Sequence, residues 1–219
     1  MIEAELKGKC GGLSDQEDAL TSTVFGVLKY AFLRPVLRSF LAEAKNLVTG
    51  SKYDPSLLGD DYRFVFWSRI SAESEIDLEL RGSDYRLGIE VKYLAEESGD
   101  GQLDRYSKIL DHVVYVTLDS VPPAVSKVNP KIFWVSWHEL HKILKQRLGS
   151  AEGLEIELLQ DLIRYLENRG IRSFIGFVGN GNVPEATWPL FWGDKLFHPK
   201  ETVIGYSGPL FFMEKNTNE

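Results

Sequence analysis

The chain has 219 residues, of which 43% are apolar and 26% are charged, and its net charge is −7. This composition is typical of a globular protein, and we expect residues 1–219 to form a single domain. The acidic balance argues against a protein that simply coats nucleic acid, because such proteins are normally basic. It does not exclude an enzyme that acts on nucleic acid, since a divalent cation held by carboxylates changes the local field.

Cellular location is predicted from three absences in the sequence. Cys10 is the only cysteine, which excludes an intrachain disulfide and a cysteine zinc site. No run of about 18 apolar residues is present, and the first residues lack the basic and then apolar layout of a signal peptide. We therefore expect a cytoplasmic protein without a membrane-spanning helix.

The pattern of apolar residues predicts helices at the start of the chain and three short strands after them. Ser14 and Glu17 have the spacing of a capping box, which begins the first helix. Pro35 is expected to interrupt that helix, and a second helical pattern covers residues 36–47. Alternating segments at residues 62–69, 75–81 and 85–94 predict the strands.

The second half of the chain adds buried strands and further helices. The predicted elements are a helix at residues 102–110, strands at 113–118 and 131–135, helices at 137–148 and 152–169, and a strand at 172–177. Residues 179–219 are rich in glycine, proline and aromatic residues, which predicts turns and short strands. This order favours an α/β fold in which helices flank a mixed sheet.

The strands at residues 75–81 and 85–94 are predicted to form a hairpin with one polar face. Ile76, Leu78, Leu80, Leu87, Ile89 and Val91 are expected on the apolar face, and Glu75, Asp77, Glu79, Gly88, Glu90 and Lys92 on the polar face. An even-length turn pairs positions whose numbers add up to 167. Asp77 is then opposite Glu90. Glu79 is opposite Gly88, where no side chain obstructs the polar face.

Two carboxylates opposite one another predict a cation between them. Cross-strand neighbours have Cβ atoms about 5 Å apart, so Asp77 and Glu90 repel one another unless a cation joins them. Mg²⁺ is the natural partner of such oxygen ligands. Lys92 lies on the same face, where its ammonium can orient an attacking water or stabilise charge on a phosphate. The alternative is an exposed polar face, with Glu75 and Lys92 as a surface ion pair worth about 0–1 kcal/mol.

The hairpin resembles the active-site motif of the PD-(D/E)xK nuclease superfamily, which has the restriction-endonuclease-like fold. Asp77 is followed by twelve residues and then by Glu90-Val91-Lys92, which matches the motif in order and spacing. Ile76 precedes Asp77, where the motif has proline, although members often lack that proline. The resemblance implies an αβββαβ core at about residues 14–136, followed by a C-terminal extension at residues 137–219.

Two flanking features make the resemblance more specific. Gln102 and Tyr106 are similar to the Q-x-x-x-Y motif of the superfamily, which implies that Gln102 approaches the metal and that Tyr106 supports the site or meets a phosphate. Packing of Tyr106 on the sheet is the alternative. Glu17 lies on the first helix, where many members have a glutamate that joins the metal site, and it also fits the capping box with Ser14.

The resemblance implies a nuclease that uses Mg²⁺, or Mn²⁺, to hydrolyse phosphodiester bonds, with DNA as the expected substrate and endonuclease as the expected mode. The implied catalytic residues are Asp77, Glu90, Lys92 and Gln102, and the implied metal ligands are Asp77, Glu90 and Glu17. Arg105, Tyr106 and Lys108 are candidate contacts to nucleic acid. For Arg105 and Lys108, a solvated helix face is the alternative. The aromatic C-terminal region is a candidate for a homodimer interface or a protein partner. The alternative function is a catalytically inactive nuclease-like fold that acts as a binding or regulatory module.

Overall fold

The computed structural model describes residues 15–46, 48–72, 74–93, 101–120, 122, 129–173, 190–192 and 195–197. The chain divides into two compact units, Met1–Ser173 and Phe174–Glu219. Ile171 is the last residue of the large apolar core of the first unit within the described residues. Ser14 of the predicted capping box and residues 174–177 of the last predicted strand lie outside the described residues.

The described part of the first unit contains five α-helices and six strands. The helices are α1 (Asp15–Leu28), α2 (Arg34–Ala42), α3 (Gln102–Ser107), α4 (Trp137–Leu148) and α5 (Leu154–Asn168). The strands are β1 (Lys45–Asn46), β2 (Arg63–Ser71), β3 (Ser74–Arg81), β4 (Arg86–Val91), β5 (His112–Thr117) and β6 (Ile132–Ser136). In the second unit, β7 (Leu190–Trp192) and β8 (Lys195–Phe197) form an antiparallel pair. None of the described helices combines the length and the apolar character that crossing a membrane requires.

The six strands of the first unit form one mixed sheet in the order β1-β6-β5-β4-β3-β2. β2, β3 and β4 are antiparallel neighbours, whereas β4, β5 and β6 run parallel to one another. α3 lies in the connection from β4 to β5, where parallel neighbours require a crossover. The predicted α/β fold with a mixed sheet flanked by helices is therefore confirmed.

Apolar side chains cover the two faces of the sheet as two clusters. The larger cluster packs α1, α2, α4 and α5 against one face and includes Leu78 of β3. The smaller cluster packs α3 against the other face through Leu103 and Tyr106. β5 contributes to both, with Val114 in the larger cluster and Val113 in the smaller one. Because both of its faces are covered, β5 has a continuous apolar sequence.

The second predicted helix begins and ends differently from its apolar pattern. Pro35 lies in the first turn of α2, where proline is tolerated, so it starts a helix instead of interrupting one. α2 ends at Ala42, and Asn46 pairs with β6 instead of continuing the helix. Asn46 Oδ1 accepts hydrogen bonds from the backbone N–H groups of Val48 and Thr49. Such bonds to the local backbone favour turns over helices.

Ile76 packs on the face opposite to the one that strand alternation predicts. It belongs to the smaller cluster, beside α3, whereas Leu78 belongs to the larger cluster. The pairing of Glu79 with Gly88 is confirmed. However, the side chains of Ile76 and Leu110 occupy the space in front of Gly88, so the prediction that Gly88 leaves this face open is wrong.

Alanine at Gly88 is expected to lower the free energy of unfolding by about 1–3 kcal/mol, because it overpacks the smaller cluster. A Cβ atom there would lie 2.5 Å from Leu110 Cδ1 and closer still to Ile76 Cδ1. Chemical denaturation measures the change. Gly149→Ala is the matched control, since its Cβ would meet only Gln146 O, at 3.5 Å, and we expect it to change stability by less than about 0.5 kcal/mol. Equal effects of the two substitutions would contradict this packing.

Candidate functional site

β3 and β4 bring Asp77 and Glu90 to the same end of the hairpin. Leu78 pairs with Ile89, so the predicted register, in which paired numbers add up to 167, is confirmed. Asp77 lies one residue beyond this last regular pair, and its Oδ2 accepts a 2.7 Å hydrogen bond from the N–H of Val91. A side-chain carboxylate therefore takes the place of a backbone carbonyl at the end of the β3–β4 ladder.

Glu90 and Lys92 are buried, with exposed fractions of 3% and 6%. Lys92 Nζ lies 2.9 Å from Glu17 Oε1 and 3.2 Å from Glu90 Oε1. The backbone N–H of Lys92 donates to Val116 O at 2.8 Å, which holds the end of β4 against β5. The alternative of an exposed polar face, with Glu75 and Lys92 as a surface pair, is therefore wrong.

Helix α1 carries Glu17 to the sheet because the apolar side of the helix is buried. Leu20 and Val24, four residues apart, belong to the larger cluster, which fixes the side of α1 that faces the sheet. The next residue after Glu17 is Asp18, whose Oδ1 accepts a 2.9 Å hydrogen bond from the indole N–H of Trp67 on β2. Sequence reasoning missed both Asp18 and Trp67.

Helix α3 supplies the remaining contact to Glu90. Gln102 Nε2 donates to Glu90 Oε1 at 2.9 Å and to the Tyr106 hydroxyl at 2.6 Å. That hydroxyl donates in turn to Glu75 O at 2.6 Å. Tyr106 is only 2% exposed, so it supports Gln102 and packs on the sheet, and this placement does not suit a contact with nucleic acid.

The structure thus gathers five of the predicted site residues. Glu17, Asp77, Glu90, Lys92 and Gln102 lie together, and we call them the Glu90 group. Arg105 and Lys108 are exposed, on α3 and just after its end, and do not belong to this group. Side chains of the aromatic C-terminal region lie outside the described residues, so its role in a dimer or with a partner stays a prediction.

Burial raises the pKa values of both carboxyl groups, and repulsion from a neighbouring carboxylate adds to each shift, from Glu90 at Asp77 and from Glu17 at Glu90. Burial, and after it the charge of Glu90, raises the pKa of Asp77 well above its ordinary value, against the opposing hydrogen bond from Val91. Burial also raises the pKa of Glu90 to about 7, against the opposing charge of Lys92. Burial lowers the pKa of Lys92, but the charges of Glu90 and Glu17 outweigh it and the net shift is upward. Lys92 is therefore held in its charged form.

The donor atoms of the Glu90 group fit a hard divalent cation. Glu90 Oε2 and Gln102 Oε1 are buried without a hydrogen-bond partner. Because buried polar atoms normally have partners, these oxygens are available as ligands beside the Asp77 carboxylate. Within the described residues, no three Asp, Glu, His or Cys side chains are grouped so that they could hold a metal by themselves. Mg²⁺ suits such a site, since it is often bound by one or two carboxylates and completed by water and phosphate oxygens.

A fourth carboxylate, Glu79, belongs to a different group on the same hairpin. Its Oε2 accepts hydrogen bonds from Ser68 Oγ at 2.6 Å and from Arg81 Nη2 at 2.7 Å. Its Oε1 accepts from Arg86 Nε at 2.7 Å. Burial raises the pKa of Glu79, but the hydrogen bonds from the two arginines and the serine outweigh it and hold the value at about 2. Glu79 is therefore paired within the protein and stabilises the hairpin.

The metal-free protein is expected to lose stability as the pH rises through about 7. Burial raises the pKa of Glu90 from its ordinary 4.5 to about 7, so the folded state binds the proton more tightly than the unfolded chain. This contribution to stability is fully present below pH 4.5, the ordinary pKa of the group, and is lost as the pH rises through the folded-state pKa of about 7.

Thermal unfolding with a chelator, at pH values from about 5 to about 8, measures this effect. The reference is a double variant, Asp77→Asn with Glu90→Gln, which lacks both titrating groups. The melting temperature of the wild-type protein should fall relative to that of the double variant as the pH rises. If the difference in melting temperature between the two proteins does not depend on pH, the raised pKa values do not belong to Asp77 and Glu90.

No protein-family model, no curated protein and no solved structure matches the chain. The geometry and electrostatics of the Glu90 group are therefore the basis on which a function is assigned.

Proposed function

We propose that this protein is a Mg²⁺-dependent nuclease with a restriction-endonuclease-like core, which hydrolyses phosphodiester bonds with DNA as its substrate. The observation that carries the proposal is the Glu90 group. Two carboxyl groups with raised pKa values adjoin a buried ammonium, and Glu90 Oε2 has no hydrogen-bond partner. A purely structural ion pair such as that of Glu79 has all of its carboxylate charge paired, and the Glu90 group does not.

The order of elements supports the proposed core. α1 precedes the antiparallel strands β2, β3 and β4, and α3 then leads to β5, which lies parallel to β4. With α2 and β1 set aside, which lie between α1 and β2, this order agrees with the helix, three strands, helix and strand of the proposed αβββαβ core. Its two helices carry Glu17 to Lys92, just after the end of β4, and Gln102 to Glu90 on β4.

Each residue of the Glu90 group has a role in the proposed reaction. A bound Mg²⁺ would supply a Lewis acid for the phosphate and an activated water as the nucleophile. Asp77 and Glu90 would hold the ion. Gln102 orients the Glu90 carboxylate through its 2.9 Å hydrogen bond. Lys92 places a positive charge at the site, where negative charge develops on a phosphate in the transition state.

Glu17 has two roles open to it in this proposal. The resemblance implies that it joins the metal as a third carboxylate. Its present contact, 2.9 Å from Lys92 Nζ, also holds that ammonium in place. Both roles need the carboxylate of Glu17 at the end of β4, which α1 provides.

Cleavage assays with defined substrates test the proposal. Purified protein with Mg²⁺ or Mn²⁺ is expected to cut labelled single-stranded or double-stranded DNA, and chelator should stop the reaction. Cleavage of an RNA with the same sequence shows whether the enzyme distinguishes DNA from RNA. Cleavage of circular DNA, which has no ends, shows that the enzyme is an endonuclease. The proposal fails if no nucleic acid is cut and no Mg²⁺ is bound.

A binding or regulatory module without turnover is the second candidate. It is favoured by the full engagement of the Lys92 ammonium with two carboxylates of the protein itself and by the net charge of −7. A Mg²⁺ titration by calorimetry separates the two functions, because a module without catalysis has no need for the ion. Its partner would also bind equally well to variants of Asp77, Glu90 or Lys92.

A further inference from the structure

We propose that Trp67 and Asp18 are positioning residues that set the place of the Asp77 carboxylate. The inference deepens the proposed nuclease function, since Asp77 is the metal ligand on β3. It is carried by an irregularity in the sheet that centres on Trp67 and Asp77. Neither residue belongs to the motif that predicts the site.

Trp67 has a left-handed backbone in the middle of β2. Its φ angle is 46°, and within the described residues no other non-glycine residue has a positive φ. In the β2–β3 register, Phe66 pairs with Leu78 and Ser68 pairs with Ile76. Trp67 therefore lies opposite Asp77. A left-handed backbone at a bulky residue is energetically unfavourable and persists only where the surroundings hold it.

Both strands change face at this point. Phe66 and Leu78 pack in the larger cluster. Two residues further along each strand, the side chains lie on the other face. On β3, Ile76 packs in the smaller cluster. On β2, Ser68 donates to Glu79, which pairs with Gly88 on the face of the smaller cluster. In a regular strand, residues two apart share a face. β2 and β3 are therefore rotated together between these pairs, and the left-handed Trp67 produces the rotation in β2.

The rotation explains how Asp77 reaches its position. Continuing the regular β3–β4 register would set Ile76 opposite Val91, but regular pairing stops at Leu78. Because β3 turns at Asp77, the carboxylate of that residue accepts the hydrogen bond from the Val91 N–H. A regular β3 would present Ile76 to the larger cluster and would not bring the Asp77 carboxylate to this N–H. The irregularity thus sets the position of the acidic side chain beside Glu90.

Asp18 holds Trp67 in this conformation. Its 2.9 Å hydrogen bond from the indole N–H joins α1 to β2, and Trp67 is only 6% exposed. Glu17, the preceding residue of α1, contacts Lys92 beyond the end of β4. Two adjacent residues of α1 therefore act on the Glu90 group. Asp18 acts on Asp77 by holding Trp67, and Glu17 contacts Lys92 directly.

Hydrogen exchange of two neighbouring amides tests the inference without any catalysis. The Val91 amide donates to Asp77, whereas the Lys92 amide donates to Val116 of β5. In Asp18→Ala and in Trp67→Phe, the exchange rate of Val91 relative to Lys92 is expected to rise at least about tenfold, because only the Val91 bond depends on Asp77. A general loss of stability would speed both amides alike and leave the ratio unchanged.

Matched variants complete the experiment. Trp137 is a fully buried tryptophan of the larger cluster whose indole N–H has no partner, so Trp137→Phe should leave the ratio unchanged. Asp18→Asn keeps an acceptor oxygen and should restore the wild-type ratio. The affinity for Mg²⁺, measured by calorimetry, should fall about tenfold in Asp18→Ala, as it does when supporting residues of metal ligands are removed.

The outcomes separate this inference from the proposed function. An unchanged exchange ratio in both Asp18→Ala and Trp67→Phe overturns the inference, even in a protein that binds Mg²⁺ and cuts DNA. A raised ratio supports it, even in a wild-type protein that binds no Mg²⁺, although the proposed nuclease function would then fail. A raised ratio in Trp137→Phe as well would also overturn it, because the effect would not be specific to the Asp18–Trp67 bond.

Discussion

Asparagine at Asp77 is expected to lower the rate of DNA cleavage by about a thousandfold or more and, at the same time, to make the metal-free protein more stable at pH 8. The rate falls because the variant loses a ligand of the proposed Mg²⁺, whose contribution to the reaction is worth several kcal/mol. Stability rises because the half-buried Asp77, which repels the buried Glu90, becomes a neutral amide whose oxygen still accepts the Val91 hydrogen bond. Single-turnover cleavage and thermal unfolding measure the two effects.

The opposite signs of the two effects make this prediction specific. A residue that only supports the fold loses activity and stability together. Asp84→Asn is the control, since it makes the same chemical change at an exposed position in the turn of the same hairpin, and neither activity nor stability should change. Full activity in Asp77→Asn would rule out Asp77 as a ligand, and a lower melting temperature would rule out repulsion from Glu90.

Methionine at Lys92 is expected to lower the free energy of unfolding by about 3–5 kcal/mol and to abolish cleavage. Methionine keeps most of the length of the side chain but removes a buried charge, so Glu17 and Glu90 lose their shared cation. Leaving a buried charge without its partner is strongly destabilising. Chemical denaturation at pH 8 measures the loss. It should shrink as the pH falls, because burial raises the pKa of Glu90, the charge of Lys92 that opposes this shift is gone, and the acid becomes neutral.

Two further variants decide the cause of the Lys92→Met effect. Lys52→Met removes an exposed ammonium, 2.9 Å from Glu43, and should cost no more than about 1 kcal/mol. Adding Glu90→Gln to Lys92→Met removes a charge left without its cation and should restore part of the lost stability, but no activity. If the second substitution restores nothing, lost packing of the lysine stem explains the effect instead of lost charge.

The register of the hairpin could be predicted because it depends on local features. Alternation of polar and apolar residues fixes a strand to within one parity, and an even turn selects the pairing. The sequence therefore leads correctly from the turn to the pairing of Glu79 with Gly88. The mixed sheet follows in the same way, because the continuous apolar run of β5 indicates a strand covered on both faces.

What could not be predicted depends on contacts between distant elements. No local pattern identifies Trp67 as left-handed, since tryptophan has no preference for that conformation and its hydrogen bond to Asp18 spans 49 positions. The strand rotation there moves Ile76 to the other face, so strict alternation gives the wrong side for it. The burial of the polar face is also tertiary, because α1 and α3 supply Glu17 and Gln102 to cover it.

The left-handed backbone of Trp67 has a consequence for the outer side of the sheet. β2 is an edge strand of the described sheet, with β1 at the opposite edge, and its nine residues would offer a long row of backbone N–H and C=O groups to another chain. The irregularity at Trp67 divides that row into two short runs, and Arg63 and Arg69 place exposed charges on each. We therefore expect the sheet to resist edge-to-edge aggregation. When both arginines are replaced with valine, light scattering should detect aggregates at a lower protein concentration than for the wild-type protein.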